Sequence, residues 1–335
     1  MDVLIIGGTR NLGHQLSLAL LAAGHRVTVL NRGRTADELP ASVTRLRADR
    51  GDAAALKTAI GNREFDAVID TALYNGPDAK AIVELLTGRI NHYLFFSTGQ
   101  VYLVRENLTP PFVESDYAGA VMPAPSHESR DYEEWLYGAE KRDAEDVLAA
   151  AWATNQFPYT TLRLPMVNSE RDHFHRTYGY IKRLQDGGPL LIPAGPHLHL
   201  RHIYGADVVQ AIRTVLAAGP GTGRSYNISQ DETVSLDGFL TMLAELTNTT
   251  LRLCPVDKAI LNERNLIPDC SPFSDPWMSI LDNQLSKTEL GIRYTPLADY
   301  LERLVVHYRE NPVAEPKGYE RRQEELALAA AQGWS

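Results

Sequence analysis

Cysteine is scarce in this chain: only Cys254 and Cys270 occur in 335 residues. Two thiols so placed make neither a disulfide framework nor a thiolate metal site, and such usage suits a reducing compartment. Long apolar runs are missing as well. No stretch reaches the ~18–20 residues of a membrane span. The first apolar run begins almost at Met1, which leaves no room for a signal peptide before it. A basic excess is the third absence. Lys and Arg number 33 against 42 Asp and Glu, a formal net charge of −9, which argues against steering toward nucleic acid. The expectation is a cytoplasmic protein with no membrane and no nucleic-acid partner, free of internal repeats and low-complexity tracts.

What is present is an ordinary globular composition, 44% hydrophobic and 22% charged. The length allows two domains, or one large α/β unit with an appendage. The organising stretch is Met1 to Gly13, MDVLIIGGTRNLG. Val3–Ile6 is a short, β-branched apolar run ending in two glycines, the mark of a buried strand entering a tight turn. Leu12, Leu16, Leu20 and Leu21 then recur at helical spacing. Strand, Gly-rich turn and helix together make a phosphate cradle, because glycine allows close backbone approach and a helix N-terminus offers unpaired N–H groups. Of the dinucleotide pattern Gly-x-Gly-x-x-Gly, Gly8 and Gly13 fit and Arg10 stands at the middle glycine. An ordinary strand-to-helix turn is the alternative.

Strands and helices alternate through the first half. Strands are expected at Arg26–Leu30, Thr44–Ala48, Asp66–Thr71, Tyr93–Ser97 and Tyr159–Leu164, with helices at Ala53–Ile60, Ala79–Leu86 and within Asp131–Asn155. That alternation is the pattern of a parallel sheet covered by helices on both faces. Thr109–Ser129, rich in Pro, Ala, Gly and Ser, reads as a long loop of the kind that is usually functional or mobile. Beyond Pro165 the alternation loosens. Helices are expected at Arg176–Gln185, Ala206–Ala218, Ser235–Thr247 (capped by Ser235), Pro296–Tyr308 and in the last twenty residues. Extended segments are expected at Pro189–Pro196, Leu200–Tyr204, Arg224–Ile228 and Leu251–Val256.

A second chemical signal is Tyr137-Gly-Ala-Glu-Lys141. On a helix, residues i and i+4 share a face, and an ammonium beside a phenol favours phenolate. Such a tyrosine can exchange protons near neutral pH. The alternative is a plain amphipathic helix. Ser97-Thr98-Gly99-Gln100-Val101-Tyr102, at a strand's C-terminal end, lies where open α/β sheets bind ligands.

GGTRNLG, the strand ending Asp70–Ala72, STGQVY, YGAEK, Leu162–Pro165, Arg201–Ile212 and Leu281–Ile292 occur in the order of the extended short-chain dehydrogenase/reductase superfamily. The chain resembles that superfamily along nearly its whole length. Arginine in the glycine loop is similar to an atypical, epimerase/dehydratase-like branch that includes chloroplast stem-loop-binding relatives. The resemblance implies a Rossmann-type, doubly wound α/β fold. Residues 1–164 and 197–228 would form the dinucleotide-binding domain, and 165–196 and 229–335 a smaller, interwoven substrate-binding region.

The resemblance also implies roles. Tyr137 would be the acid/base, Thr98 would bond the reacting oxygen, and Lys141 would hold the nicotinamide ribose and depress the phenol pKa. Gly7, Gly8, Thr9, Arg10, Asn11, Leu12 and Gly13 would cradle the pyrophosphate. Asn31 and Arg32, Asp49 and Arg50, Thr71, Ala72 and Pro165 would line the rest of the cofactor path. Tyr74, Gln100, Asn168 and Arg201 would contact substrate. The activity implied is NAD(P)(H)-dependent oxidation–reduction or epimerisation of a nucleotide sugar or related polyhydroxylated or carbonyl compound. A non-catalytic NADP-binding sensor or RNA-associated protein on the same scaffold is the alternative.

Asn31 ends the second strand where NAD sites carry a carboxylate. Arg32 and Arg10 could clamp a 2′-phosphate, so NADP is expected over NAD. Gly99 and Gln100 replace the Asp and Glu with which the family's 4,6-dehydratases eliminate water, and only Glu114 or Asp116 in the long loop could substitute. The loop is expected near the substrate mouth. His173, His175, His197, His199 and His202 have no acidic or thiol partner at ligand spacing, so no metal is expected. A homodimer would pair Ala79–Leu86 with Tyr137–Ala151. Val147, Leu148 and Ala151 would then serve as interface or core.

Overall fold

In the computed structural model, residues 1–34, 36–196, 199–311 and 313–334 are described. The first half runs β1 (Asp2–Ile6), α1 (Asn11–Ala22), β2 (Arg26–Asn31), β3 (Thr44–Arg47), α2 (Ala53–Ile60), β4 (Phe65–Asp70), α3 (Gly76–Leu86), β5 (Ile90–Thr98), α4 (Gln100–Leu103), α5 (Asp131–Asn155) and β6 (Tyr159–Leu164). The second half begins with β7 (Val167–Asn168), α6 (Arg176–Gln185), β8 (Leu190–Pro193), β9 (His199–Leu200), β10 (Ile203–Tyr204) and α7 (Gly205–Ala217). It continues through β11 (Arg224–Asn227), β12 (Val234–Ser235), α8 (Leu236–Thr247), β13 (Leu253–Val256), α9 (Lys258–Glu263), α10 (Gln284–Leu290), α11 (Leu297–Glu310) and α12 (Arg322–Ala331).

Seven strands form one sheet in the order β11-β6-β5-β4-β1-β2-β3, and every pairing is parallel. The chain direction across the sheet reverses between β1 and β4, the switch point where open α/β sheets place their crevice. Alternate residues of β1 serve the two faces, as strand geometry requires. Val3 and Ile5 meet α1 and α7 through Leu16, Leu20, Val208 and Ile212. Leu4 and Ile6 belong to the opposite core with Leu56, Ile82 and Leu148 of α2, α3 and α5. Leu148 therefore lies in the intrachain core, and Val147 and Ala151 pack against it.

A second layer carries its own core, built from α6, α8 and α11 around Tyr180, Leu240, Phe273 and Leu304. β8 and β13 pair in parallel beside it. Ser235 caps α8, its hydroxyl accepting from the Gly238 N–H at 3.0 Å. Leu200–Tyr204 is two short strands rather than one. β9 pairs antiparallel with β12 and β10 parallel with β7, so Arg201 and His202 occupy the bend between them.

The long loop departs from expectation. It holds a 3-10 turn at Glu114–Tyr117 and is tied to the scaffold on several sides. Phe112 N donates to Ile280 O at 2.8 Å, and Asp282 N to Phe112 O at 2.8 Å. Asn227 N donates to the Glu114 carboxylate at 2.8 Å, and Arg142 to Tyr117 O at 2.8 Å. Beneath it, Arg163 pairs with Glu145 at 2.6 Å, both buried, and Arg163 also donates to the Tyr102 hydroxyl at 2.7 Å.

Candidate active site

The cradle forms where β1 meets α1. Gly7 has φ +100°, and a Cβ there would lie 2.1 Å from the Thr71 hydroxyl. A Cβ on Gly13 would lie 2.6 Å from the Gly8 Cα, so the first turn of α1 sits directly on the loop. The N-cap, Arg10, makes no side-chain cap bond, and the first turn holds no acidic residue. The helix end therefore presents N–H donors and partial positive charge with no acidic residue in its own first turn, which fits a pyrophosphate. Thr71 donates to Ile6 O at 3.0 Å, and Ala72 N to Asp70 at 2.9 Å, which fixes the turn after β4 beside the end of β1.

The adenosine end is less uniform. Arg32 lies 3.9 Å from Asp49, and both are half exposed. Asn31 accepts from Gly33 N at 2.8 Å and from the Arg47 guanidinium. Arg50 turns inward. Its Nε donates to Asp70 at 3.1 Å, with the side chain only 8% exposed, and Tyr93 donates to the same carboxylate at 2.7 Å. Arg50 is thus an internal ion-pair partner and not a surface contact for the cofactor.

Thr98 ends β5, and its hydroxyl lies on the same cavity wall as the Tyr137 phenol, close enough to favour the phenolate. α5 carries Tyr137 and Lys141 on one face and is docked on α4 by Arg142, which donates to Val101 O at 2.9 Å. The Lys141 ammonium is buried and donates to Leu73 O at 2.7 Å and Phe96 O at 2.8 Å. Burial lowers it to about 7, against the opposing pull of Asp70 and Glu145. The phenol of Tyr137 does not follow the expected depression. Desolvation raises it, Tyr74 and Glu134 add to the rise, and the Thr98 hydroxyl opposes it. Removal from water dominates because charging a buried phenol is costly.

Thr98 and Tyr137, though not the Lys141 ammonium, line a cavity of about 700 Å³, a common size for a small-molecule site. Asn11, Leu12, Pro165, Tyr74 and Gln100 reach it, together with Phe174, Trp277 and Ser279 from the second half. Two expected substrate contacts do not. Asn168 is buried, donating to His202 at 3.0 Å and to the Tyr300 hydroxyl at 3.3 Å. Arg201 donates to Gln230 O at 2.9 Å from the bend beyond β9. Among the described residues, none of 109–129 lines the Tyr137 cavity. The loop is a buttress behind α5 and β11, because Phe112, Glu114 and Tyr117 find their partners there.

Phe174, Trp277, Ser279 and Glu134 escaped the sequence reading, and of these Glu134 is the titratable one. Glu134 lines the cavity and accepts from the Gln100 amide, and burial raises its pKa. It precedes Tyr137 by three residues, so helical spacing alone marks it as a neighbour. Glu114 and Asp116, the carboxylates weighed for elimination, are engaged by Asn227 N and Val113 N instead. Gly99 is enforced sterically: a Cβ there would lie 1.9 Å from the Ser279 hydroxyl. Among the described residues no three His, Cys, Asp or Glu side chains converge in a metal-holding group. His202 is buried in the second core, and His197 lies outside the described residues. No described helix is long and apolar enough to cross a membrane.

The strand order and the glycine cradle at its switch point define a Rossmann-type dinucleotide fold. Residues 3–229 match the model described as "NAD dependent epimerase/dehydratase family", and the chain belongs to that family. A chloroplast stem-loop binding protein of 41 kDa b from Arabidopsis thaliana is 27% identical over 254 residues, covering 71% of this chain and 61% of that protein. 2'-dehydrokanamycin reductase from Streptomyces kanamyceticus is 29% identical over 167 residues, 50% of this chain and 43% of that one. The chain thus spans less than two thirds of the length of these curated relatives. The crystal structure of UDP-glucose 4-epimerase from Thermotoga maritima shares the fold, with TM-score 0.72 and 19% identity over 92% of this chain and 99% of that one.

Proposed function

We propose that this protein moves a hydride between a nicotinamide dinucleotide and a carbon of a polyhydroxylated or carbonyl substrate, with Tyr137 moving the accompanying proton. The observation that carries the reading is that Thr98 and Tyr137 line one cavity, with Lys141 one helical turn beyond Tyr137 on α5. The cofactor, when bound, supplies the hydride chemistry. Thr98 and Tyr137 would hold the reacting oxygen between two hydroxyls. Tyr137, kept protonated by desolvation, is set to donate to an oxygen that gains negative charge, which suits carbonyl reduction. Lys141 would hold the nicotinamide ribose.

In this reading, 1–164 with 197–228 bind the cofactor, and 165–196 with 229–335 shape the substrate side. NADP is the preferred cofactor, through Arg32 and Arg10, and the chain works as a homodimer. Light scattering should give twice 37.2 kDa. Elimination of water is not part of the reaction. At position 99, where the family's 4,6-dehydratases carry Asp, the Ser279 contact leaves no room for a side chain, and Gln100 beside it has no titrating group. The test is reduction of a carbonyl panel with NADPH deuterated at C4. Label in the product of the native protein and none with Tyr137→Phe supports the reading. Unlabelled product, or a product lighter by one water, overturns it. The similarity to a stem-loop binding protein favours a second reading, RNA association, which filter binding at physiological salt would reveal.

A further inference from the structure

The loop 109–129 stays out of the Tyr137 cavity, yet it holds a segment that enters it. Residues 278–281 are anchored at both ends. Met278 is buried in the core of the second layer, and Leu281 in a small separate core with Val101, Tyr102 and Phe112. Phe112 also bridges Leu281 in parallel. Its N–H donates to Ile280 O at 2.8 Å, and its carbonyl accepts from Asp282 N at 2.8 Å. The Phe112 ring stacks on Tyr102 with centroids 5.4 Å apart. Backbone bonds from the loop and apolar anchors on either side therefore fix Ser279, which lines the cavity with Thr98 and Tyr137.

Ser279 sits against Gly99, the residue after Thr98. Gly99 has φ −67°, which any residue adopts, so the backbone does not ask for glycine there. The contact does: a Cβ at 99 would lie 1.9 Å from the Ser279 hydroxyl and 2.5 Å from its Cβ. The space that a side chain at 99 would fill is thus occupied by a hydroxyl delivered from the other half of the chain. Ser279 is only 6% exposed, and a hydroxyl removed from water needs a partner. Among the described residues the protein gives it none, and the hydroxyl is not closed off from the cavity. A serine hydroxyl both donates and accepts. It can hold a neutral oxygen in place, but it does not titrate near neutral pH and cannot carry the protons that elimination requires.

Resting on the redox reading above, we infer that Ser279 is a substrate-binding residue: its hydroxyl bonds a hydroxyl of the polyhydroxylated ring whose carbon reacts at Thr98 and Tyr137, and Phe112 is the positioning residue that holds it there. The long loop then contributes to substrate selection without touching the substrate.

The experiment is calorimetric titration of the full chain, saturated with NADP, with UDP-glucose and with UDP, which lacks the ring. Ser279→Ala should weaken UDP-glucose binding roughly fivefold, the scale of one hydrogen bond. Binding of UDP, binding of NADP and the melting temperature should stay unchanged. UDP-glucose binding that is unaltered in Ser279→Ala, or weakened no more than that of UDP, overturns the inference. So does a native chain that holds UDP-glucose no tighter than UDP. Phe112→Leu should also weaken UDP-glucose binding, and that loss should vanish in the Ser279→Ala background, because two residues acting through one contact are not additive. Equal losses in both backgrounds would overturn the positioning role of Phe112. The two readings fail differently. Label transfer from NADPH to a sugar ketone with the same KM in the native protein and in Ser279→Ala sinks this inference and keeps the redox reading. Weakened UDP-glucose binding in Ser279→Ala with no hydride transfer to any carbonyl does the reverse.

Discussion

The two sides of the Tyr137 cavity are built differently. One side is the ends of β1, β4 and β5 with one face of α5. Behind this side, polar groups of the scaffold are fixed by buried bonds: Lys141 to two carbonyls, Arg50 to Asp70, Arg163 to Glu145. The other is the irregular segment 268–279 with the α5 N-terminus, held by the exposed Arg130–Asp275 pair and the Trp277–Asp131 bond. Under the proposed function the first wall would do the chemistry, its geometry held by burial, and the second would select what is acted on, through contacts that are cheap to change.

The largest expected difference between the walls is in stability. Arg163→Met leaves the Glu145 carboxylate buried with only the Ser97 hydroxyl at 2.5 Å for company. It should cost about 3–5 kcal/mol of unfolding free energy in urea titration. Arg130→Met, at the exposed pair, should cost under about 1 kcal/mol. Equal losses would erase the distinction between the walls.

Lys141 sharpens the same contrast through pH. Its folded-state pKa of about 7 lies below the ordinary 10.5, so between those values the unfolded chain binds more protons than the native one. Stability from this group therefore rises as pH climbs from about 7 toward 10.5, and is lost as pH falls back to 7. In Lys141→Met that rise should vanish from the difference between native and variant melting curves. A rise of the same size in the variant would show that the ammonium is not desolvated.

The regular wall was legible in the sequence and the irregular one was not. Val3–Ile6, the glycines, Thr98 and the Tyr137–Lys141 spacing mark their elements by local period and turn chemistry. What failed depends on partners far along the chain. Arg50 is adjacent to Asp49 in sequence but belongs to Asp70, Asn168 belongs to His202 and Tyr300, and Arg201 to Gln230. Composition made 109–129 look mobile, yet its anchors at Asn227 and Ile280 lie more than a hundred residues downstream. Glu134 alone had a readable signal, its helical offset from Tyr137.

Smaller effects belong to function. Tyr137→Phe should lower kcat by at least ~100-fold while cofactor still binds, the scale of a lost general acid–base. Glu134→Gln should cost about tenfold by the same reasoning at one remove, and should shift the acid limb of the kcat profile, because burial raises this carboxyl. An unchanged limb would reduce Glu134 to a contact for Gln100.

The smallest effect tests the outer edge of the regular wall. Arg32 follows β2, with its charge partly answered by Asp49 at 3.9 Å, and both side chains are about half exposed. Asn31 cannot repel a 2′-phosphate as a carboxylate would, and its amide oxygen is already taken by Gly33 N and Arg47. A phosphate at this edge would therefore compete with Asp49 for Arg32 in water, where screening leaves about 1 kcal/mol for such a pair. Arg32→Ala should weaken NADPH binding by roughly fivefold and leave NADH unchanged in fluorescence titration. The effect should shrink at high salt, since an exposed charge contact is screened. A loss shared equally by both cofactors would place Arg32 against the adenine or its ribose and remove the ground for an NADP preference.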